Sequence, residues 1–131
     1  MTAPRHSVST GAEWETRYGY HRAVAVGERA WVSGTTASSR GEAPDPDPAV
    51  QAEVAFTIAL EALADLGFER TDVVLTRMYV TDIDAADEVG HVHGDVFRGV
   101  NPVSTMVGVS GLIDPRLKVE IEIEAVKGRE T

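Results

Sequence analysis

Eight residues near the end of the chain, Lys118-Val119-Glu120-Ile121-Glu122-Ile123-Glu124-Ala125, alternate between charged and apolar without a break. A strand with one dry face produces this period of two; on a helix the same residues would spread around every side. Val119, Ile121, Ile123 and Ala125 are therefore assigned to a core, and Glu120, Glu122 and Glu124 to the opposite face. Carboxylates in a row on one sheet face repel one another unless water or cations lie opposite. Arg22, Arg77 and Lys118 are the candidate partners of Glu122 and Glu124. Just upstream, Val103-Ser104-Thr105-Met106-Val107-Gly108-Val109 reads as another strand. Gly111 and the Asp114-Pro115 step carry turn chemistry between the two, so they are expected to pair antiparallel with each other.

The rest of the chain supplies the partners of this strand. Residues 1–16 are polar and mixed, an arm expected to order where it touches the body, with Trp14 as its anchor. A single domain is expected over 17–128, and a short tail over 129–131. Tyr20–Val26 and Arg29–Gly34 flank Gly27-Glu28 as a strand pair, and alternation places Tyr20, Arg22, Val24 and Val26 on one side. Thr35 to Pro48 is a loop, interrupted by Gly41, Pro44 and Pro46. Asp47-Pro48 then starts a helix, with Asp47 as its cap and proline tolerated in the first turn. Its apolar stripe runs through Val54, Ala55, Ile58, Ala59, Ala62, Leu63 and Leu66, and Gly67 follows its end. Val73–Thr81 is a β-branched strand, and a second helix capped by Asp82 or Asp84 reaches about Phe97. The order is β-β-α-β-α-β-β, which predicts an α+β fold with two helices packed on one face of a mixed sheet. A chain of this length has no third layer of its own, so an oligomer is expected to cover the open face.

Composition narrows the chemistry. A formal net charge of −9 disfavours partners presenting nucleic-acid phosphates or an anionic membrane. With no cysteine there is neither a disulfide nor a thiol nucleophile. Neither a signal-like apolar segment in Met1–Gly11 nor a bilayer-length apolar run is present, so a cytoplasmic protein is expected. His91 and His93 stand two apart on a helix and do not share a face, which makes them a poor chelate; no metal or cofactor is expected, and both are assigned to the surface. Ser33 and Ser104 lack His and Asp partners at a recognisable spacing, and no glycine cluster makes a phosphate loop.

Several strings, in this order and spacing, resemble the RidA/YjgF family over nearly the whole chain after the arm. They are Val32-Ser33-Gly34, Asp72-Val73-Val74 leading into Tyr79-Val80-Thr81-Asp82, Asn101-Pro102, and Val119-Glu120-Ile121-Glu122. The resemblance implies a chorismate-mutase-like homotrimer with small-molecule clefts between subunits. It also implies hydrolysis of 2-imino or enamino acids to 2-keto acids and ammonia without a cofactor. Carried over by position, it places Tyr20, Ser33, Gly34, the Met106 backbone donor and the acid Glu120 in the cleft. The family's carboxylate-clamping arginine falls on Ser104, which offers one neutral donor where arginine offers two parallel charged ones. Arg22 and Arg77 are the strand arginines that could substitute for it; Arg22, on the side of Tyr20, can point into the same cleft, or else it is an ion-pair partner of the glutamate row. Glu120 is either a water-orienting base or one more member of that row.

These residues point to a hydrolase or deaminase acting on a small imine, enamine or carbonyl compound, with Glu120 as base and Tyr20 and Ser104 as orienting hydroxyls. The alternative is a non-catalytic trimer that binds a metabolite or stabilises other proteins. An RNA-cleaving or translation-inhibiting role conflicts with the net charge and the lack of a basic patch.

Overall fold

A computed structural model describes residues 2–128, so the expected tail at 129–131 lies outside the described residues. The strands are β1 (Arg5–Val8), β2 (Ala23–Val26), β3 (Arg29–Thr35), β4 (Val73–Val80), β5 (Val103–Gly108) and β6 (Val119–Val126). The helices are α1 (Glu13–Tyr18), α2 (Pro48–Asp65) and α3 (Ala86–Phe97). All six strands form one mixed sheet in the order β1-β2-β3-β6-β4-β5. The alternating strand β6 lies in its interior, paired antiparallel to both β3 and β4.

This placement corrects the expected β5–β6 pair. The chain leaves β4, crosses through α3 and returns parallel to β4, as a strand–helix–strand crossover requires. β5 therefore takes the outer edge. The 109–118 segment then carries the chain back across the end of β4, tied there by Val109 N–H to the Val80 carbonyl and Thr81 N–H to the Lys118 carbonyl. Val119, Ile121, Ile123 and Ala125 are fully buried beneath the helices, and Glu120, Glu122 and Glu124 are half-buried on the open face.

Local chemistry explains the helices. The Asp47 carboxylate accepts the Ala49 N–H at 2.9 Å, and Pro48 opens α2. Ala52, Ala55, Ala59 and Ala62 are buried along its inner face; small side chains there let the helix lie close to the sheet. Phe56 meets Phe97 of α3 edge-on, with centroids 5.5 Å apart. Asp82 caps a 3₁₀ turn at Ile83–Ala85, and α3 begins only after it. His93 is half-buried rather than free on the surface: it sits against Phe56 and Phe97, and its Nε2 is 2.7 Å from Thr76 Oγ1. Burial lowers its pKa, because the apolar surroundings disfavour the cation.

The arm contributes two elements ahead of the expected order. β1 adds a strand beside β2, and α1 follows it, its Glu15 pairing with Arg22 just ahead of β2. The anchor is Glu15, 3% exposed, while Trp14 is only half-buried and stacks on Tyr18. The strand read from Tyr20 starts instead at Ala23, since Tyr20 to Arg22 turn the chain out of α1.

Gln51 of α2 is completely buried and pins the 114–118 segment. Its Nε2 donates to the Asp45 and Arg116 carbonyls at 2.7 and 3.0 Å, and its Oε1 accepts the Lys118 N–H at 2.8 Å. Replacing it by leucine strands three backbone groups. The Gln51→Leu variant is expected to lose about 2–4 kcal/mol in denaturant unfolding, since each unsatisfied buried group costs about 1–3 kcal/mol before relaxation or water entry. A loss within experimental error would show that water replaces the amide without cost.

Candidate functional site

The three glutamates of the open face are not equivalent. Glu124 accepts a hydrogen bond from Arg29 Nη2 at 2.8 Å, and Glu122 accepts one from the Tyr79 hydroxyl. These partners replace the expected Arg22, Arg77 and Lys118. The Tyr79 pKa is raised, first by that hydrogen bond to Glu122. Glu120 has no such partner among the described residues and lies instead against the backbone of β3. A Cβ built on Gly34 would stand 2.9 Å from the Glu120 carboxyl carbon, so a larger residue there requires the flexible end of Glu120 to move aside. Burial raises the Glu120 pKa and repulsion from Glu122 adds to the shift, while the Arg22 charge partly opposes it.

Glu120 opens into a cavity of about 130 Å³ that Tyr20, Arg22 and Gly34 also line. Four of the expected site residues thus come together within one chain. Trp14, Thr36, Ser38, Ile113 and Asp114 complete most of the wall.

Arg22 is neither a free clamp nor a partner of the glutamate row. It is 1% exposed and pairs with Glu15 of α1, Nη2 to Oε2 at 3.2 Å. Its Nη1 donates to the Gly34 carbonyl at 2.6 Å and to Thr35 Oγ1 at 3.2 Å. The guanidinium carbon lies 5.7 Å from the centre of the Tyr20 ring. Burial by itself would raise the Glu15 pKa, but it is lowered overall. The Ser9 and Thr10 hydroxyls, the Thr10 N–H and the Arg22 charge all favour the carboxylate. A buried ion pair therefore ties the arm to the backbone at the Gly34-Thr35 step, beside Glu120.

The remaining expected residues lie elsewhere. Ser33 turns its hydroxyl onto the His21 carbonyl at 2.6 Å and does not line the cavity. Ser104 sits opposite Thr76, and Thr76 is opposite core residue Ile123, so Ser104 is on the helix-covered side of the sheet from which Glu120 points away. Its Oγ is 2.7 Å from Thr76 Oγ1, which in turn contacts His93. Met106 shares that parity and packs against the core, leaving only its edge-strand backbone for a cleft role. Ser104 and Met106 therefore do not reach the Glu120 cavity of their own chain. Parity decides this: in a parallel neighbour of β4, residues level with Thr76 and Met78 must face α2 and α3.

Sequence reasoning missed Glu15, Ser38 and Gln51. A glutamate inside a polar arm carries no periodic signal. The one available cue for Ser38 was its place in the hydroxyl-rich run Thr35-Thr36-Ala37-Ser38-Ser39. Among the described residues, no group of three or more His, Asp or Glu is placed to hold a metal ion, and no helix is long and apolar enough to cross a membrane.

A Gly34→Val substitution tests the close approach. It is expected to displace the flexible end of Glu120 from its groove. Its readout is the Glu120 side-chain carboxyl resonance, which should move toward the ordinary glutamate pKa. An unmoved titration would show that β3 does not hold the acid.

The class follows from these parts: a small α+β domain with one mixed sheet, helices on one face, and a lone partly desolvated acid on the other. The chain belongs to the Endoribonuclease L-PSP family, also known as YjgF/RidA, whose family model matches residues 10–127. It is 41% identical to an uncharacterised protein of Streptomyces coelicolor over 123 residues, 92% of this chain and 91% of that one. The crystal structure of Rv2704 of Mycobacterium tuberculosis, a member of the YjgF/YER057c/UK114 family, matches with a TM-score of 0.88 at 43% identity, covering 95% of this chain and all of that one. The fold is shared with E. coli TdcF, solved with bound serine, at a TM-score of 0.76 and 24% identity over 83% of this chain and 88% of that one.

Proposed function

We propose that the protein is a homotrimeric hydrolase that converts a small imine or enamine to a carbonyl compound and ammonia, with Glu120 as the base. The observation carrying this reading is Glu120 itself: a partly desolvated carboxylate with a raised pKa, held against Gly34 at the mouth of a small cavity. A carboxylate whose proton affinity burial has raised is better suited to accept a proton from water than an exposed one. Water attacks the imine carbon and passes a proton through Glu120 to nitrogen. The resulting carbinolamine then expels ammonia as the C–O double bond forms. Tyr20 lines the same cavity and is assigned to orient the substrate.

The trimer reading is supported by the open sheet face. Trp31, Val103 and Val107 are exposed there, with Val103 at 66%, on the side that carries the glutamates. Such a patch calls for a partner surface. A neighbour's β5 edge would bring its Met106 backbone to the cleft.

The test generates imines in the presence of semicarbazide and measures how much is captured before hydrolysis. The protein is expected to reduce that capture relative to a protein-free control, and its solution mass is expected to be that of three chains. Unchanged capture with every imine offered would overturn the hydrolase reading. A single-chain mass would overturn the trimer.

A second reading, a trimer that binds a metabolite without turning it over, is favoured by the orientation of Ser104, which leaves no donor at the family's clamp position facing the cavity. Calorimetric binding with no release of ammonia would select it. RNA cleavage, the activity in the family's name, is opposed by the net charge of −9 and the glutamate row.

A further inference from the structure

We infer that Ser104 is a reactive serine that accepts an acyl group from a small uncharged ester, with His93 as its base acting through the Thr76 hydroxyl. Ser104 Oγ lies 2.7 Å from Thr76 Oγ1, and Thr76 Oγ1 lies 2.7 Å from His93 Nε2. Hydroxyl protons rotate to suit their partners, so with Nε2 bare the chain of hydrogen bonds runs from serine through threonine to imidazole. A nucleophilic hydroxyl needs a base within hydrogen-bond reach, and here one further hydroxyl is set between the two. None of the three residues lines the Glu120 cavity, so this activity is separate from imine hydrolysis.

The fold holds each part of the relay. Thr76 is completely buried, which keeps water from breaking the middle link. Phe56 and Phe97 flank the His93 ring, with centroids at 5.8 and 4.9 Å. Burial holds the His93 pKa below the ordinary imidazole value, so the ring is neutral at pH 7 and able to take a proton. Ser104 itself is exposed on β5, an outer strand of the sheet. Val109 N–H bonds the Val80 carbonyl, so alternation along β5 turns the N–H groups of Ser104 and Met106 away from β4. The Ser104 N–H thus stands beside its own Oγ, where a nucleophile's N–H stabilises a tetrahedral oxyanion.

Both contacts are made within one subunit, between β4, β5 and α3, so neither depends on what a neighbouring copy brings. The trimer reading sets this edge at a neighbour's cleft, a crevice that small molecules must enter, which limits the acyl donor by size. The net charge of −9 favours an uncharged one over an anion. In the reaction, Ser104 Oγ bonds to the acyl carbon while its proton passes to Thr76 and the Thr76 proton passes to His93 Nε2. The ester C–O bond then breaks. The alcohol oxygen leaves with the electron pair and takes the proton back along the relay. Water later releases the acid and restores the serine; nothing is oxidised or reduced.

The experiment gives the full chain p-nitrophenyl acetate and follows both nitrophenol release and the mass of the protein. One acetyl group per chain is expected, placed on Ser104 by peptide mapping and absent from Ser104→Ala. Thr76→Val keeps the shape of the buried side chain but breaks the link, and should slow acetylation about 10²-fold. Thr76→Ser keeps the hydroxyl and should restore most of the rate, which a role in packing alone does not predict. His93→Gln should match Thr76→Val, and takes its place if thermal melts show that Thr76→Val fails to fold. Acetyl groups confined to Lys118, Lys127 or the amino terminus, or none at all, would overturn the reactive serine. Acetylation of Ser104 at an unchanged rate in folded Thr76→Val or His93→Gln would overturn the relay.

Discussion

Glu120→Gln should reduce imine hydrolysis by about 10²–10⁴-fold while leaving the fold as stable as before or more so, a pairing that distinguishes a working base from a structural carboxylate. The kinetic half follows from the loss of the only carboxylate, among the described residues lining the cavity, that no cation holds. The stability half follows from linkage. Glu120 has a raised pKa in the folded state, chiefly from burial, so the native protein binds its proton more tightly than the unfolded chain does. Stability from this group therefore falls as pH rises from the ordinary glutamate range through the folded pKa. At neutral pH the ionised acid is a cost, and glutamine, which is neutral and isosteric, removes it. Thermal melts of both proteins at pH 7 and at pH 4 check the sign. The variant should gain at the higher pH and lose that gain at the lower. A variant that is less stable at pH 7 but equally active would mean that Glu120 serves the glutamate row alone.

Arg22→Met is expected to destabilise the protein by about 3–5 kcal/mol, because it leaves a carboxylate buried without its cation. For a domain of this size that is roughly a 10–20 °C fall in Tm. The Gly34 carbonyl also loses its donor at 2.6 Å, so the backbone beneath Glu120 loosens as well. The double variant Glu15→Gln/Arg22→Met should recover much of the loss, since the stranded charge has gone. Glu15 has the opposite sign to Glu120 in pH dependence. Its folded pKa is lowered, so its stabilisation is complete above the unfolded value and disappears as pH falls through the folded one. Loss of stability in Arg22→Met by less than about 1 kcal/mol, the size of an exposed pair, would show that solvent reaches this site.

The opposite pH signs of Glu15 and Glu120 come from one arrangement. Both carboxylates are near Arg22, but hydroxyls, a backbone N–H and a contacting guanidinium surround only Glu15. The arm thus supplies the stable member of the pair, and its counter-ion keeps Gly34 in place for the unstable one.

Much of this molecule was legible in its residues. The alternation at 118–125 identifies the central strand and the face each residue takes, because a pleated strand admits one assignment of dry and wet sides. Asp47-Pro48 and Gly67 bound α2, since capping and left-handed backbone are local requirements. Tyr20, Gly34 and Glu120 were found through the family resemblance, which carries them over by position from motifs on or beside strands. Strand neighbours were not legible: an antiparallel β5–β6 pair and the observed insertion of β6 between β3 and β4 share the same alternation. Only tertiary packing chose between them, by making β5 the parallel return of a helical crossover and so turning Ser104 toward Thr76. The Glu15–Arg22 pair and the Ser104–Thr76–His93 relay were also decided in three dimensions. A buried charge or a run of hydrogen bonds depends on what the folded chain brings beside it, and no local pattern records that.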